Sequence, residues 1–215
     1  MYKYFPNGKI YTVEDYGQPD SVVYDQPPIL KAPLVKSCMD STGKVLVNDG
    51  NGRYVVYSED FKRVDEEGNI KSGQRDGEWK GTGENGKLQF TEMYDNGKLL
   101  NGIATDSAGT YNYKIRATNA QYKNGLTAFG RYLGTRITYP ISDREAGIQG
   151  MVLLSFIINK NGTVQNIKVV RKVSPSIDAE AVRVLANSKD WLPAVYFGRP
   201  VRSQFTVPVT FTLSR

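Results

Sequence analysis

The sequence predicts an all-β N-terminal domain of repeated hairpins followed by an α+β C-terminal domain. Asn-Gly turns recur between short apolar stretches in the first half, and a strand, turn, strand, helix, strand order follows in the second. The charge divides in the same way, since residues 1–114 carry a net −3 and residues 115–215 a net +9, which together give +6. Opposite charges on the two halves indicate two modules with different surroundings.

The composition argues against catalysis. The chain has no histidine and a single cysteine, Cys38, so the commonest general base and metal ligand are missing and no internal disulfide can form. It contains no nucleophile elbow, P-loop or metal cluster. We therefore predict a protein that is not an enzyme and needs no cofactor and no metal, with Cys38 as a small buried residue.

Three Asn-Gly-Lys turns organise the N-terminal half. They begin at Asn7, Asn85 and Asn96, and Asn-Gly is the strongest short hairpin signal because both turn positions favour positive φ. Residues 54–57 and 87–94 alternate as strands do. Repetition at steps of roughly 20 residues predicts a meander of stacked hairpins.

Residues 75–81 (RDGEWKG) and 94–102 (YDNGKLLNG) resemble units of MORN-like repeats, of the kind found in YwqK antitoxin-type proteins. The resemblance implies a scaffold or a binding surface. Trp79 is then either the core aromatic of its hairpin or a platform for a ligand.

A proline-rich stretch at residues 27–33 (PPILKAP) predicts an extended linker, because each proline fixes φ and restrains the residue before it. We therefore divide the chain into four parts. These are N-terminal strands with the linker (1–33), the hairpin-repeat domain (34–114), a connector (115–128) and the C-terminal domain (129–215).

The C-terminal part opens with a helix. Asn124-Gly125 can form the turn before it, and Tyr139-Pro140 ends it. The residues at helical spacing are Leu126, Phe129, Tyr132 and Leu133.

A hairpin follows. Residues 150–159 are apolar on both faces, which is typical of a central strand. An Asn-Gly turn at 161–162 leads into a second strand over residues 163–172.

The next helix has a clear start. Ser174 is a favoured N-cap, and Pro175 suits the first helical position. Asp178 and Glu180 are two residues apart on different helix faces, which argues against a catalytic pair. The predicted buried stripe is Ile177, Ala181, Val184 and Leu185.

The last strand, residues 201–213, alternates apolar and polar side chains with a period of two. Pro208 lies in its middle and cannot donate to a ladder, which predicts an edge strand with the proline nitrogen facing outward. The even-numbered residues should then present their backbone groups to the open edge, and the odd-numbered ones should bond inward. A docked peptide should pair best on either side of position 208.

The order of these signals over residues 129–215 resembles the C-terminal domain of TonB-type energy transducers. The resemblance implies a TonB/TolA-like fold, with a three-stranded antiparallel sheet and helices on one face. The residues that carry the structural motif are Tyr139, Pro140, Gly147, Gly150, Trp191, Pro193 and Pro208. The same resemblance places Trp191 in the core.

Domains of this family bind the N-terminal box peptide of TonB-dependent outer-membrane receptors by strand addition, in energy-coupled nutrient transport. The resemblance implies two contact regions, the last strand and residues 134–138. A glutamine is frequent in relatives where this chain has Arg136, and this difference favours an acidic box. The expected partner-binding residues are Arg202, Gln204, Phe205, Thr206, Thr210, Thr212, Arg136 and Thr138.

The resemblance also implies a periplasmic location. We expect a signal peptide or membrane anchor that is missing from this chain, and an inner-membrane motor complex and a homodimer are further possible partners. No motif that reads nucleic acid accompanies the basic charge, so no nucleic-acid partner is expected. The alternative is a soluble periplasmic adaptor that binds other proteins or cell wall through its repeats and its free sheet edge, without force transmission.

Overall fold

The computed structural model describes residues 1–16, 33–83 and 86–213. It divides the chain into two compact units, Met1–Ile115 and Arg116–Arg215. The predicted linker at 27–33 lies outside the described residues except for Pro33, and so does Asn85 of the second Asn-Gly turn.

The N-terminal unit is built on one antiparallel sheet whose ten strands follow one another in chain order. This order is the predicted meander. The strands are β1 (Tyr2–Tyr4), β2 (Ile10–Asp15), β3 (Leu34–Met39), β4 (Val45–Asn48), β5 (Asn51–Tyr57), β6 (Val64–Lys71), β7 (Gln74–Gly83), β8 (Leu88–Asp95), β9 (Lys98–Asp106) and β10 (Gly109–Tyr113). Strands β1 and β2, from the predicted segment 1–33, belong to this sheet because β2 pairs with β3.

Aromatic side chains cover glycines across the N-terminal sheet. At three glycines the ring of an aromatic cross-strand partner lies so close that an added Cβ would be within 3 Å of it. The pairs are Trp79 with Gly68, Phe90 with Gly81, and Tyr113 with Gly102. A Cβ atom on Gly68 would lie 2.4 Å from the Trp79 ring, so only glycine leaves room for the indole.

Trp79 is fully buried, and its Nε1 donates to the Asn69 carbonyl at 2.9 Å. This confirms the core interpretation over the ligand platform. Cys38 is also fully buried, as predicted, and burial raises the pKa of its thiol to about 11.

The C-terminal unit has a central sheet of three antiparallel strands in the order β14–β13–β18, so β13 is central. Residues 115–128, predicted as a connector, contribute β11 and β12 to two small sheets, β11–β16–β17 and β12–β15. The elements are β11 (Ala117–Thr118), β12 (Gln121–Tyr122), α1 (Gly125–Arg136), α2 (Ile141–Glu145), β13 (Gly150–Ile158), β14 (Val164–Arg171), α3 (Pro175–Ala186), β15 (Trp191–Leu192), β16 (Ala194–Tyr196), β17 (Arg199–Val201) and β18 (Ser203–Phe211).

Helices α1 and α3 pack on one face of the central sheet. The core joins the even-numbered residues of β13 to the odd-numbered residues of β18 and to apolar side chains of both helices. Helix α1 starts at the Asn124-Gly125 turn, where both residues have positive φ. Leu126 is 65% exposed and lies outside the apolar stripe, a difference from the prediction that follows from its place in the first turn.

Helix α3 begins and packs as the sequence predicts. The Ser174 hydroxyl accepts a hydrogen bond from the Ile177 amide at 3.1 Å, and Pro175 occupies the first helical position. The predicted stripe is buried at all four positions: Ile177, Ala181, Val184 and Leu185. In the described part of the chain, no helix is both long and apolar enough to cross a membrane.

Candidate partner-binding site

Strand β18 forms one edge of the central sheet, and its pairing with β13 is regular. Nine consecutive pairs run from Gly150–Phe211 to Ile158–Ser203 without a register shift. Among the described residues β13 is the strand that pairs with β18, so the other side of β18 carries no strand. The even-numbered side chains are exposed, and the odd-numbered ones are buried or half-buried.

Pro208 indicates which way the backbone groups point along this edge. It lies opposite Leu153, and proline has no N–H to donate to β13. The N–H and C=O of one residue point to the same side of a strand, and successive residues alternate. If Pro208 faces outward, the regular register turns the backbone groups of Gln204, Thr206 and Thr210 outward as well.

The opposite edge, β14, is irregular. Its register with β13 shifts between Leu153 and Leu154 and again between Ser155 and Ile157, and Asn166 has φ +52°. Bulges of this kind bend an edge and hinder pairing with a further strand. The two edges therefore differ, and β18 is the one with a regular backbone.

The predicted partner-binding residues occupy different positions along this edge. Arg202 immediately precedes β18 and Thr212 immediately follows it, and both are exposed. The Gln204 amide donates to the Ser155 hydroxyl at 2.9 Å. Phe205 is half-buried, with its ring 5.3 Å from that of Trp191, so its side chain serves the core rather than the solvent-facing surface.

The second predicted contact region is held by helix α3. The Thr138 amide donates to Glu180 Oε1 at 2.6 Å, and Arg183 Nη2 donates to the Arg136 carbonyl at 2.9 Å. Glu180 and Arg183 also pair with each other at 2.7 Å. We call these two side chains the α3 clamp. Sequence reasoning missed it, although the Glu-x-x-Arg spacing places both residues on one helix face.

Tyr139 joins this region to the end of the edge strand. Its ring lies 5.6 Å from that of Phe211 in a nearly perpendicular arrangement, and its hydroxyl donates to the Ile148 carbonyl. The structure thus brings residues 136–139 next to the end of β18 that carries Thr210 and Thr212. Arg202 and Gln204 lie at the other end of the strand.

The glycines of the predicted structural motif and Trp191 have structural roles in the C-terminal unit. Gly147 has φ +66°, and a Cβ on Gly150 would lie 2.9 Å from Val173 Cγ2. Trp191 is 3% exposed and donates to the Ser188 hydroxyl at 2.8 Å. Pro193 separates β15 from β16.

Three of the five acidic residues of this half are committed to internal contacts. Asp178 accepts the Val173 amide at 2.9 Å, and Asp143 is buried and accepts the Ser176 hydroxyl. Hydrogen bonds from Ser174 and Ser176 hold the pKa of Asp143 below its ordinary value. Glu180 and Arg183 neutralise each other in the α3 clamp, so it is the two buried acids, Asp143 and Asp178, that leave the surface more basic than the composition alone indicates. Within the described ranges no group of three or more His, Cys, Asp or Glu residues is placed to hold a metal ion.

The α3 clamp makes a prediction about pH. The hydrogen bond from Arg183 holds the pKa of Glu180 below its ordinary value of 4.5, against the opposing effect of burial and with help from the Thr138 amide. The charged carboxylate therefore stabilises the folded state above its unfolded pKa, and this contribution is lost as pH falls through the lower folded pKa. We expect the Thr138 amide proton resonance to titrate with a midpoint below 4.5.

Two variants test whether Glu180 is the group that causes this titration. Glu180→Gln should abolish it, whereas Glu145→Gln, which replaces an exposed acid of α2, should leave it unchanged. A Thr138 resonance that does not move with pH in the unmodified chain would contradict the clamp.

Comparison with known proteins gives a match to part of the C-terminal half of the chain. Residues 135–213 match the family model described as Gram-negative bacterial TonB protein C-terminal. Similar solved structures include two solution structures of the Helicobacter pylori TonB C-terminal domain, both 25% identical to this chain. The shorter covers 42% of this chain and 95% of its own, with a TM-score of 0.35; the longer covers 42% and 81%, with a TM-score of 0.34. Among curated proteins, none matches the sequence.

Proposed function

We propose that this chain, whose residues 135–213 match the TonB C-terminal family, binds the N-terminal box peptide of TonB-dependent outer-membrane receptors by strand addition to β18. The family is transport-related and non-enzymatic, and we propose a periplasmic role in energy-coupled transport across the outer membrane. The observation that carries the proposal is the regular edge of β18, which pairs with no described strand other than β13, set against the irregular edge of β14.

A docked peptide would bond to the outward backbone groups of the even-numbered residues. Gln204 and Thr206 offer one stretch, and Thr210 with the following residues offers another. Pro208 lies between them and offers a carbonyl but no N–H. The peptide should therefore gain most of its backbone hydrogen bonds on the two sides of this position.

Charge favours an acidic peptide. Arg202 is exposed at one end of the edge, and Arg136 is exposed in the region that Tyr139 holds against the other end. Opposite charges steer association and fix the register of a bound segment more than they add affinity. We expect binding to weaken as salt is raised.

A proline scan along β18 tests strand addition. Thr206→Pro removes an outward N–H and leaves the inward ladder intact, so we expect the peptide Kd to rise at least about tenfold, or about 1.4 kcal/mol, with little loss of stability. The measurement is an NMR titration of the full chain with synthetic peptides from the N-termini of TonB-dependent receptors.

Val207→Pro is the matched control, because it removes an inward donor one residue away and should destabilise the sheet itself. Arg202→Ala and Arg136→Ala should reduce binding most at low salt. Equal binding by the unmodified chain and by Thr206→Pro, or saturable shifts confined to residues outside 202–212 and 134–138, would refute addition at this edge.

A further inference from the structure

The N-terminal unit contains a groove of about 960 Å³, at the upper end of the size of small-molecule sites. Its apolar lining includes Val35, Val56 and Ile70, on strands β3, β5 and β6. Val35 and Ile70 are buried. The polar and aromatic side chains of the lining come from β1, β2, β5 and β7 to β9 and include Lys3, Glu14, Tyr54, Arg75, Tyr94 and Lys98.

One wall of the groove is organised by a buried carboxylate. Glu14 is 4% exposed and accepts hydrogen bonds from Lys3 at 2.8 Å, Tyr16 at 2.8 Å and Tyr54 at 3.1 Å. Burial alone would raise the pKa of Glu14, but these hydrogen bonds outweigh it and the pKa is lowered. The lysine charge is thereby balanced within the wall.

The other wall is organised by an arginine. The Arg75 guanidinium lies 4.0 Å from the centre of the Trp79 ring and pairs with Glu66 at 2.6 Å. Its Nη1 is buried without a hydrogen-bond partner, and Glu92 Oε2 lies 3.9 Å away. The Arg75 side chain as a whole is 28% exposed and lines the groove, so it can donate hydrogen bonds to a ligand there.

The pairing of charges decides the class of ligand. Lys3 and Arg75 are each paired with a carboxylate, and the other two charged lining residues, Asp15 and Lys98, have opposite signs, so the lining offers donors and acceptors without a strong field of one sign. Such a groove suits hydroxyl groups, which both donate and accept, better than it suits an anion. Gln74 adds an amide to the same lining.

Tyr16 supplies a fixed aromatic surface at the groove. Its side chain is 46% exposed although its hydroxyl is anchored on Glu14. An exposed ring held in one orientation presents an apolar face with a polar tip, which matches the C–H face and hydroxyl rim of a sugar. We propose that this groove binds a neutral oligosaccharide, with Tyr16 as the stacking surface and the Glu14 and Arg75 clusters as hydrogen-bonding walls.

The test is calorimetric titration of the full chain with maltotetraose and with tetra-N-acetylchitotetraose. We expect saturable one-site binding of at least one of them, weakened at least about tenfold (1.4 kcal/mol) by Tyr16→Ala. Tyr16→Phe, which keeps the ring, should retain more of the affinity. Tyr4→Ala is the matched control, since Tyr4 is 54% exposed and lies outside the groove lining; it should change Kd less than about twofold.

Tetragalacturonate, a carboxylated oligosaccharide of the same length, separates charge from shape. Tighter binding of this acid than of both neutral probes would overturn the proposal in favour of an anion site. So would no binding of either neutral probe at about 10 mM, or equal losses from Tyr16→Ala and Tyr4→Ala. The site is independent of β18, so these outcomes leave the proposal for the C-terminal edge unchanged.

Discussion

Replacing Trp191 with alanine is expected to destabilise the C-terminal unit by about 3–5 kcal/mol, the range for truncating a buried aromatic. Trp191 is 3% exposed and lies where α1, β12, β13 and β18 converge. Its ring centre is within about 5 Å of four others: Tyr122 at 5.2 Å, Phe129 at 5.0 Å, Phe156 at 5.1 Å and Phe205 at 5.3 Å. Alanine would leave a cavity between several elements, and these elements cannot easily move together to fill it.

The measurement is hydrogen exchange of the β13 amides in the full chain, which reports the opening of this unit alone. Trp191→Phe should cost less than Trp191→Ala, because it keeps one aromatic ring and loses only part of the buried volume together with the hydrogen bond to Ser188. Leu192→Ala is the surface control, since its side chain is 44% exposed. A loss below about 1 kcal/mol for Trp191→Ala would mean that the site repacks easily, contrary to this description.

Gly68→Ala is expected to destabilise the N-terminal unit by about 1–3 kcal/mol, the usual cost of overpacking. The added methyl would lie 2.4 Å from atoms of the Trp79 ring, which must then move. The ring has little freedom to do so, because Arg75 stacks on it and Asn69 accepts its N–H.

A double-mutant cycle separates this clash from other costs of replacing a glycine. Trp79→Leu removes the ring, so Gly68→Ala should cost at least about 1 kcal/mol less in that background. Gly77→Ala is the matched control: Gly77 has φ +68° and no atom within 4 Å of an added Cβ, so its strain should not depend on the ring. Urea unfolding followed by circular dichroism gives the free energies. Additive costs for Gly68→Ala and Trp79→Leu would contradict the close contact.

The helices and strands that begin or end at a characteristic short motif were predicted correctly from the sequence. Ser174 and Pro175 marked the start of α3, the Asn161-Gly162 turn marked the hairpin, and alternation with Pro208 marked an edge strand. Each of these features depends on residues within one turn or one strand, so a single stretch of sequence contains the necessary information.

Contacts between distant residues were not predicted. The two-residue strands β12 and β15 are too short to show a period, so the pairing of Tyr122 with Trp191 was missed. The α3 clamp joins Glu180 to Thr138, 42 residues away, and nothing near either residue identifies the other. From the sequence alone, Gly68 is a glycine within a strand and would be expected to weaken it. The structure shows that the Trp79 ring packs directly on Gly68, and this contact explains the glycine.

The irregular edge of β14 limits how many strands this sheet can gain. One edge is bent by bulges and the other pairs with no further strand among the described residues, so the sheet could grow on one side only and the proposed peptide complex would contain one peptide per domain. A second copy of the chain that paired through β18 would use the same donors and acceptors. Self-association and the proposed peptide binding through this strand would therefore compete, and the apparent affinity for a peptide would fall as the protein concentration rises.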